Sequence, residues 1–307
     1  MSLLIIGTVA FDTVETPYGK VERALGGSGT FASLAAAYYT RPRLVGVVGE
    51  DFPQEYIDLL ASRGVDIRGI EHAAGKSFFW HGRYEQDINI RETLVTELNV
   101  LETFDPKLPA DYLDSRYIFL ANIDPNLQLK VLDQTPAAVL TMADTMNLWI
   151  DITRDALEQV LRRVDIILLN DSEARQLCGT PNLIKAARDI LAKGPKAVIL
   201  KKGEHGVMMF TDQAVFSLPA FPLQGVKDPT GAGDAFAGGF IGYLAGLDVR
   251  DDAHMRRALA VGTATASLCC EDFSIERFKT ADRQAVSGRI AQIAAATAVD
   301  YAPLFGA

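Results

Sequence analysis

Little in this chain can build a site from cysteine, histidine or runs of basic charge. Its three cysteines, Cys178, Cys269 and Cys270, form neither a disulfide framework nor a zinc spacing. Cys269 and Cys270 fall in an alanine-rich helical pattern and read as buried free thiols. The four histidines, His72, His81, His205 and His254, occupy separate segments without an HxxxH or HExxH pairing. They support no metal centre and read as surface or turn residues. No apolar run approaches the roughly 18 residues of a membrane span. The start, MSLLIIGTVAFD, lacks the basic stretch and small-residue cleavage site of a signal peptide, so the expectation is a cytoplasmic protein without a membrane partner. No basic cluster offsets a net charge of −9, which argues against nucleic acid as the partner. A nucleotide held by a local site stays open. Two phosphate motifs are missing as well. There is no GxxxxGK[ST], and GAGDAF departs from GxGxxG at its third glycine, lies far down the chain and lacks a following ribose-binding acid.

What is present is an ordinary globular composition, 49% hydrophobic and 22% charged over 307 residues, enough for a sizeable core. Apolar runs at 3–9, 44–49, 117–122, 138–144, 165–170 and 197–203 read as strands. Helical patterns such as QEYIDLLASRG and TRDALEQVLRRV lie between them. This alternation predicts an α/β fold with a mostly parallel sheet covered on both faces. Asn122, Asp144, Asn170 and Lys201–Lys202 each end an apolar run, which gathers polar groups at the sheet edge where such folds bind ligands. Two segments, 10–25 and about 71–100, break the alternation with β-prone stretches and no helix, and predict a small inserted β-flap.

The stretch DPTGAGDAFAGGF (228–240) carries the most chemistry. Gly231, Ala232 and Gly233 open a predicted helix, where unpaired backbone N–H groups and the helix dipole favour an anion. Asp234 follows directly and can accept a proton from a hydroxyl that attacks the anion held there. The helix end is expected to keep Asp234 ionised. Gly238, Gly239 and Gly242 each cost about 1 kcal/mol of helix propensity and imply a close neighbour. The plainer alternative is a tight turn with Thr230 as N-cap and Asp234 as a first-turn acid.

DPTGAGDAFAGGF resembles the C-terminal signature of the ribokinase family, the PfkB-type carbohydrate kinases. LGGSGTFASLAAAYY (25–39), VGVVGEDFP (45–53), NDSE (170–173) and KKGEHG (201–206) resemble further motifs of that family, so the likeness spans nearly the whole chain. It implies one Rossmann-like, three-layer α/β/α domain over 1–307, with 10–25 and 71–100 forming a β-sheet lid. By resemblance Asp234 is the catalytic base and the backbone of Gly231, Ala232 and Gly233 the anion hole. Asp12, Gly26 and Gly27 lie beside the substrate, with Phe31, Trp80, Arg83 and Asn122 as further substrate candidates. Asn170, Lys201, Gly203, Gly206 and Thr230 fall on the nucleotide, and Glu173 organises Mg2+ through water. ATP and Mg2+ are the implied cofactors; part of the family also uses a monovalent cation, and a lid-mediated homodimer has precedent by analogy. The leading expectation is a kinase acting on the primary hydroxyl of a sugar. Phe31 stands where many sugar kinases carry asparagine, and Phe78, Phe79 and Trp80 make the lid aromatic. Both features keep a nucleoside kinase of the same fold as the second reading. A non-catalytic nucleotide-binding regulator is the third. Arg91 and Asn89, at the far end of the lid, reach either substrate or solvent.

Overall fold

A computed structural model describes residues 2–298. Its strands are β1 (Leu3–Ile6), β2 (Ala10–Thr16), β3 (Gly19–Gly26), β4 (Pro42–Val48), β5 (Asp66–His72), β6 (Phe79–Tyr84) and β7 (Arg91–Glu97). They continue as β8 (Tyr117–Leu120), β9 (Leu140–Asp144), β10 (Ile166–Asn170), β11 (Ala197–Lys201), β12 (Val207–Thr211) and β13 (Val215–Leu218). Nine of them form one sheet in the order β13-β12-β11-β10-β9-β8-β1-β4-β5. Pairing is parallel from β11 through to β5, and antiparallel only where β12 and β13 close the far edge. Helices flank this sheet, as the alternation of apolar runs and helical patterns predicts.

Near-continuous apolar strands give two cores because successive side chains point to opposite faces. Leu3 and Ile5 join one core with Tyr117, Phe119, Ile166 and Leu168. Leu4 and Ile6 join the other with Ile118, Leu120, Ile167 and Leu169. Each such side chain contributes roughly 1.5–3 kcal/mol on burial. Several expected strands stop one to three residues early: 3–9 ends at Ile6, 117–122 at Leu120 and 197–203 at Lys201. The chain leaves the sheet there to form the loops of one edge. β1 has neighbours on both sides whose connections run in opposite directions, which makes its C-terminal end the switch point where open α/β sheets hold ligands.

The glycine-rich helix Ala232–Leu247 packs on the fully buried helix Ser28–Ala36. Gly238, Gly242 and Gly246 recur every four residues on one face. A Cβ on Gly238 would overlap the carbonyl of Ala32. One on Gly242 would stand 2.6 Å from Ala36 Cα, and one on Gly246 2.6 Å from Tyr39 O. The helices therefore touch backbone to backbone, which accounts for the glycines predicted to mark a close neighbour. Gly239 faces Thr265 of the helix Asp252–Cys269, whose hydroxyl donates to Ala235 O at 2.8 Å.

The remaining four strands form a separate sheet in the order β3-β2-β6-β7. This is the expected lid, with a corrected second segment. Residues 71–72 end β5 of the main sheet and Asn99–Thr103 is a single 3-10 turn, so the lid strands span 79–97. It is shut against the body. Thr16 Oγ1 donates to Lys227 O at 2.9 Å, Asn89 Nδ2 to Glu204 Oε1 at 3.1 Å, and Thr230 Oγ1 to Tyr84 Oη at 3.1 Å. Among the described residues no helix is long and apolar enough to cross a membrane.

Gly238→Ala should lower unfolding free energy by about 1–3 kcal/mol through overpacking, although alanine is the better helix former by about 1 kcal/mol. Urea denaturation of the two proteins measures the difference.

Candidate active site

The site is built at the ends of β1, β8, β9, β10 and β11 and roofed by the lid. Gly231, at φ +78°, is the N-cap of the Ala232–Leu247 helix; Thr230 is not. The turn is bound tightly. Asp228 Oδ1 accepts from Thr230 N at 2.8 Å, and Ala232 N donates to Pro229 O at 3.1 Å. An anion at this helix end would share that last amide, while the dipole and the small residues at 231–233 leave the approach open. Phe31 explains why position 231 must be glycine. Its ring lies flush on Gly231 Cα, where any Cβ would overlap it, and it is 1% exposed. Phe31 is thus a floor under the turn. Packing on Gly231 accounts for Phe31, the sequence-predicted substrate candidate, without a substrate.

Asp234 sits in the first helical turn, and its pKa is raised to about 7. Burial is the main cause and the Asp144 carboxylate adds to it; Lys201, a backbone N–H and Arg91 pull the other way. Desolvation thus outweighs the helix dipole in setting the pKa of this group. Asp12, on β2, is 6% exposed and also raised to about 7. Burial again dominates, partly offset by a bond from Gly27 N at 3.3 Å and reinforced by Asp228 and Asp234. The Gly26–Gly27 pair follows from this carboxylate. A Cβ on Gly26 would overlap Asp12 Oδ2, and Gly27 stands at φ +96° against Thr8 O.

Of the polar strand ends, Asp144 and Lys201 come together across β10. Lys201 Nζ donates to Asp144 Oδ2, a carboxylate that is 2% exposed. Burial opposes the Lys201 charge, but Asp144, Glu173 and Asp234 outweigh it and the ammonium pKa is raised. A Cβ on Gly233 would stand 3.1 Å from Lys201 Nζ, so this ammonium lies against the helix start. Glu173 is buried beside the pair and raised to about 7 by burial, with Lys201 pulling it down and Asp144 pushing it up. NDSE forms a complete capping box: Asn170 Oδ1 accepts from Glu173 N at 2.8 Å, and Glu173 Oε2 accepts from Asn170 N at 2.7 Å. Both residues are tied to the helix start, and Glu173 still borders the charged cluster. Among the described residues no group of three or more His, Cys, Asp or Glu side chains is arranged to hold a metal by itself.

The other expected residues divide. Trp80 pairs in register with Asp12 and shares its face of the lid, with its ring over Gly82 and the Arg91 guanidinium 5.6 Å from it. Arg83 lies on the opposite face and pairs with Glu92 at 2.8 Å, which corrects its assignment to the substrate. Asn122 Oδ1 accepts from Trp149 Nε1 at 2.9 Å, and its Nδ2 meets Met146 Sδ at 3.2 Å. The Thr230 hydroxyl is bonded to the lid rather than open to a nucleotide. Gly203 faces Asn89 Oδ1 of the lid, and Gly206, at φ +81°, is packed on Leu218 O. Cys269 is buried, with its thiol pushed well up by desolvation; Cys270 is half-buried rather than buried. Asp144, Asp228, Tyr84 and Arg91 complete the site beyond the expected set. Asp144 was signalled by its place at a strand end, and Arg91 by its place near the lid tip. Nothing local marked Tyr84.

A half-buried carboxylate in the first turn of a helix whose start suits an anion, roofed by a small β-sheet, fits a phosphotransferase for small molecules. A sequence profile of the pfkB family carbohydrate kinases matches residues 2–277, and the chain belongs to that family. It is similar to the cytidine kinase of Thermococcus kodakarensis, with 32% identity over 258 residues, covering 82% of this chain and 91% of the relative. Two solved structures share the fold. One is Burkholderia thailandensis nucleoside kinase in complex with inosine, at TM-score 0.79 and 20% identity over 96% of this chain and 98% of that one. The other is from E. coli, solved with ATP and Mg2+, at TM-score 0.77 and 22% identity over 95% and 99%.

The raised Asp234 pKa carries a sign for stability. A carboxyl at 3.8 unfolded and about 7 folded binds more protons when folded, so stability falls as pH rises through that window. Asp234→Asn should therefore raise Tm at pH 8 by about 3 °C or more. The gain should shrink toward pH 5, as differential scanning calorimetry of the ligand-free proteins would read.

Proposed function

We propose that this protein is a nucleoside kinase that transfers the γ-phosphoryl group of ATP to the 5′-hydroxyl of a nucleoside, cytidine being the first acceptor to test. One observation carries the reaction type: Asp234 sits in the first turn of the helix whose start forms the anion turn, and Asp12 lies within its electrostatic reach under the lid. The nucleoside acceptor is supported by the Thermococcus relative and by Trp80, a flat ring on the same lid face as Asp12.

In this reading Asp12 accepts hydrogen bonds from ribose hydroxyls. Asp234 takes the proton of the 5′-hydroxyl as its oxygen forms a bond to the γ-phosphorus. The bond from that phosphorus to the β-bridging oxygen breaks, and ADP leaves. Backbone N–H groups at Gly231–Gly233 face the moving phosphoryl group, and Lys201 supplies positive charge beside them. A base with a pKa near the working pH combines availability with strength. The carboxylates of Glu173 and Asp144 are hard oxygen donors of the kind that hold Mg2+ together with phosphate and water. They fit such an ion, which when bound would screen the phosphate charges. The closed lid keeps water from competing as acceptor.

Free sugar as acceptor is the second reading, favoured by Asp12 beside Gly26–Gly27, since ribose and a free sugar present similar hydroxyls. An ADP-release assay with cytidine, uridine, inosine, ribose and fructose separates the two. Nucleosides should release ADP; release by the free sugars alone would overturn the nucleoside acceptor. Asp234→Asn should lower kcat by about 10²–10⁴-fold, and near-normal turnover would remove Asp234 as the base. With the wild type, kcat/KM should rise with pH through about 7 and then level, as the raised Asp234 ionises.

A further inference from the structure

The polar groups of Thr230 are divided between the body and the lid. Its N–H is held by Asp228 Oδ1 at 2.8 Å, and its carbonyl accepts from Cys269 Sγ at 3.3 Å. Both partners belong to the main domain. Its hydroxyl donates to Tyr84 Oη at 3.1 Å, and Tyr84 is the last residue of β6 in the lid. The next residue is Gly231, where the chain turns to φ +78° and the helix begins. Tyr84 itself is buried, with a phenol kept neutral by desolvation and by the nearby Asp228 and Asp12 carboxylates. It thus meets the anion turn from the lid face that also carries Asp12. Other lid contacts, such as Thr16 to Lys227 O, Asn89 to Glu204 and the Arg23–Asp51 ion pair, fall outside the turn 229–233.

We infer that Tyr84 is a positioning residue for phosphoryl transfer, its bond to Thr230 setting the anion turn when the lid is shut. Closing would then do more than exclude water. With the lid open, Thr230 keeps its two backbone bonds and loses the third, so its side chain and the 230–231 peptide gain freedom. A shift of about 1 Å in a group that meets the reacting atoms can lower a rate by 10²-fold. Tyr84 touches the turn and acts through it. The effect therefore belongs in kcat, with little change in the binding of either substrate.

The inference rests on the anion-turn reading above, and the test keeps the two apart. Full-length wild type, Tyr84→Phe, Thr230→Val, Thr230→Ser, the Tyr84→Phe/Thr230→Val double variant, Thr16→Val and Asp234→Asn are compared. The assay uses ATP and whichever acceptor of the panel releases ADP fastest, with acceptor-free ATP hydrolysis measured alongside. If no acceptor is turned over, the hydrolysis rates carry the comparison. Tyr84→Phe and Thr230→Val should each lower kcat by about 10–100-fold, with both KM values and Tm close to wild type. Thr230→Ser keeps the hydroxyl and should retain most of kcat. The double variant should be no slower than its slower parent, because both changes remove one bond. Thr16→Val, which breaks a lid contact elsewhere, should keep the wild-type kcat. Wild-type kcat in Tyr84→Phe, multiplying effects in the double variant, or a Thr230→Ser protein as slow as Thr230→Val would each overturn the inference. Should Tyr84→Phe fail to fold, the Thr230→Val and Thr230→Ser pair decides alone. An inactive Asp234→Asn beside normal Tyr84 and Thr230 variants removes only the role of Tyr84. A fully active Asp234→Asn removes the reading beneath it.

Discussion

The backbone-to-backbone contact between the helices Ser28–Ala36 and Ala232–Leu247 is the constraint on which the site depends. It joins segments about two hundred residues apart in sequence. Because Gly238, Gly242 and Gly246 have no side chains, the second helix lies deep enough for Phe31 to meet Gly231. That meeting fixes the height of the GAGD turn relative to the Gly26–Gly27 pair at the start of the first helix. Asp12 and Asp234 consequently face each other's field. A larger residue on either helix would tilt the two halves of the site apart well before it unfolded the domain.

The electrostatics of the folded protein suits a ligand that brings hydroxyl donors or positive charge. Asp12, Glu173 and Asp234 are each shifted to about 7, all mainly by burial, around the single ammonium of Lys201. Asp144 is ion-paired with Lys201, and the three raised carboxyls are the adjustable ones. Hydroxyl donors and cations are the partners that relieve the crowding.

Much of this was legible in the sequence. Alternating apolar runs gave the parallel sheet, because strands buried on both faces need no polar positions. The GAGD turn and the glycines after it declared a close neighbour through their helix cost. Strand ends were overestimated by a residue or more because apolar side chains continue into the ligand-side loops, as at Thr8–Val9 after Ile6. Local pattern failed where the answer depended on distant partners. Phe31 looked available to a substrate until Gly231 covered it. Arg83 stood one residue from a site-facing position on a strand whose alternation is the whole distinction. The rise in the Asp234 pKa is not legible locally, because the helix dipole is visible in sequence and desolvation is not. Tyr84 carried no signal, since its meaning lies in a residue nearly 150 positions away.

The order of the strands separates two responsibilities along the chain. Everything up to Thr103 builds β1–β7, and so the lid, Asp12 and the Gly26–Gly27 pair; the carboxylate–lysine cluster and the GAGD turn come from Asp144 onward. The two portions meet edge to edge where β1 pairs with β8. Substitutions on the lid strands away from Tyr84 can therefore reshape one side of the cleft while the other keeps its register. A fold arranged in this way can diversify what it accepts without redesigning how it holds charge.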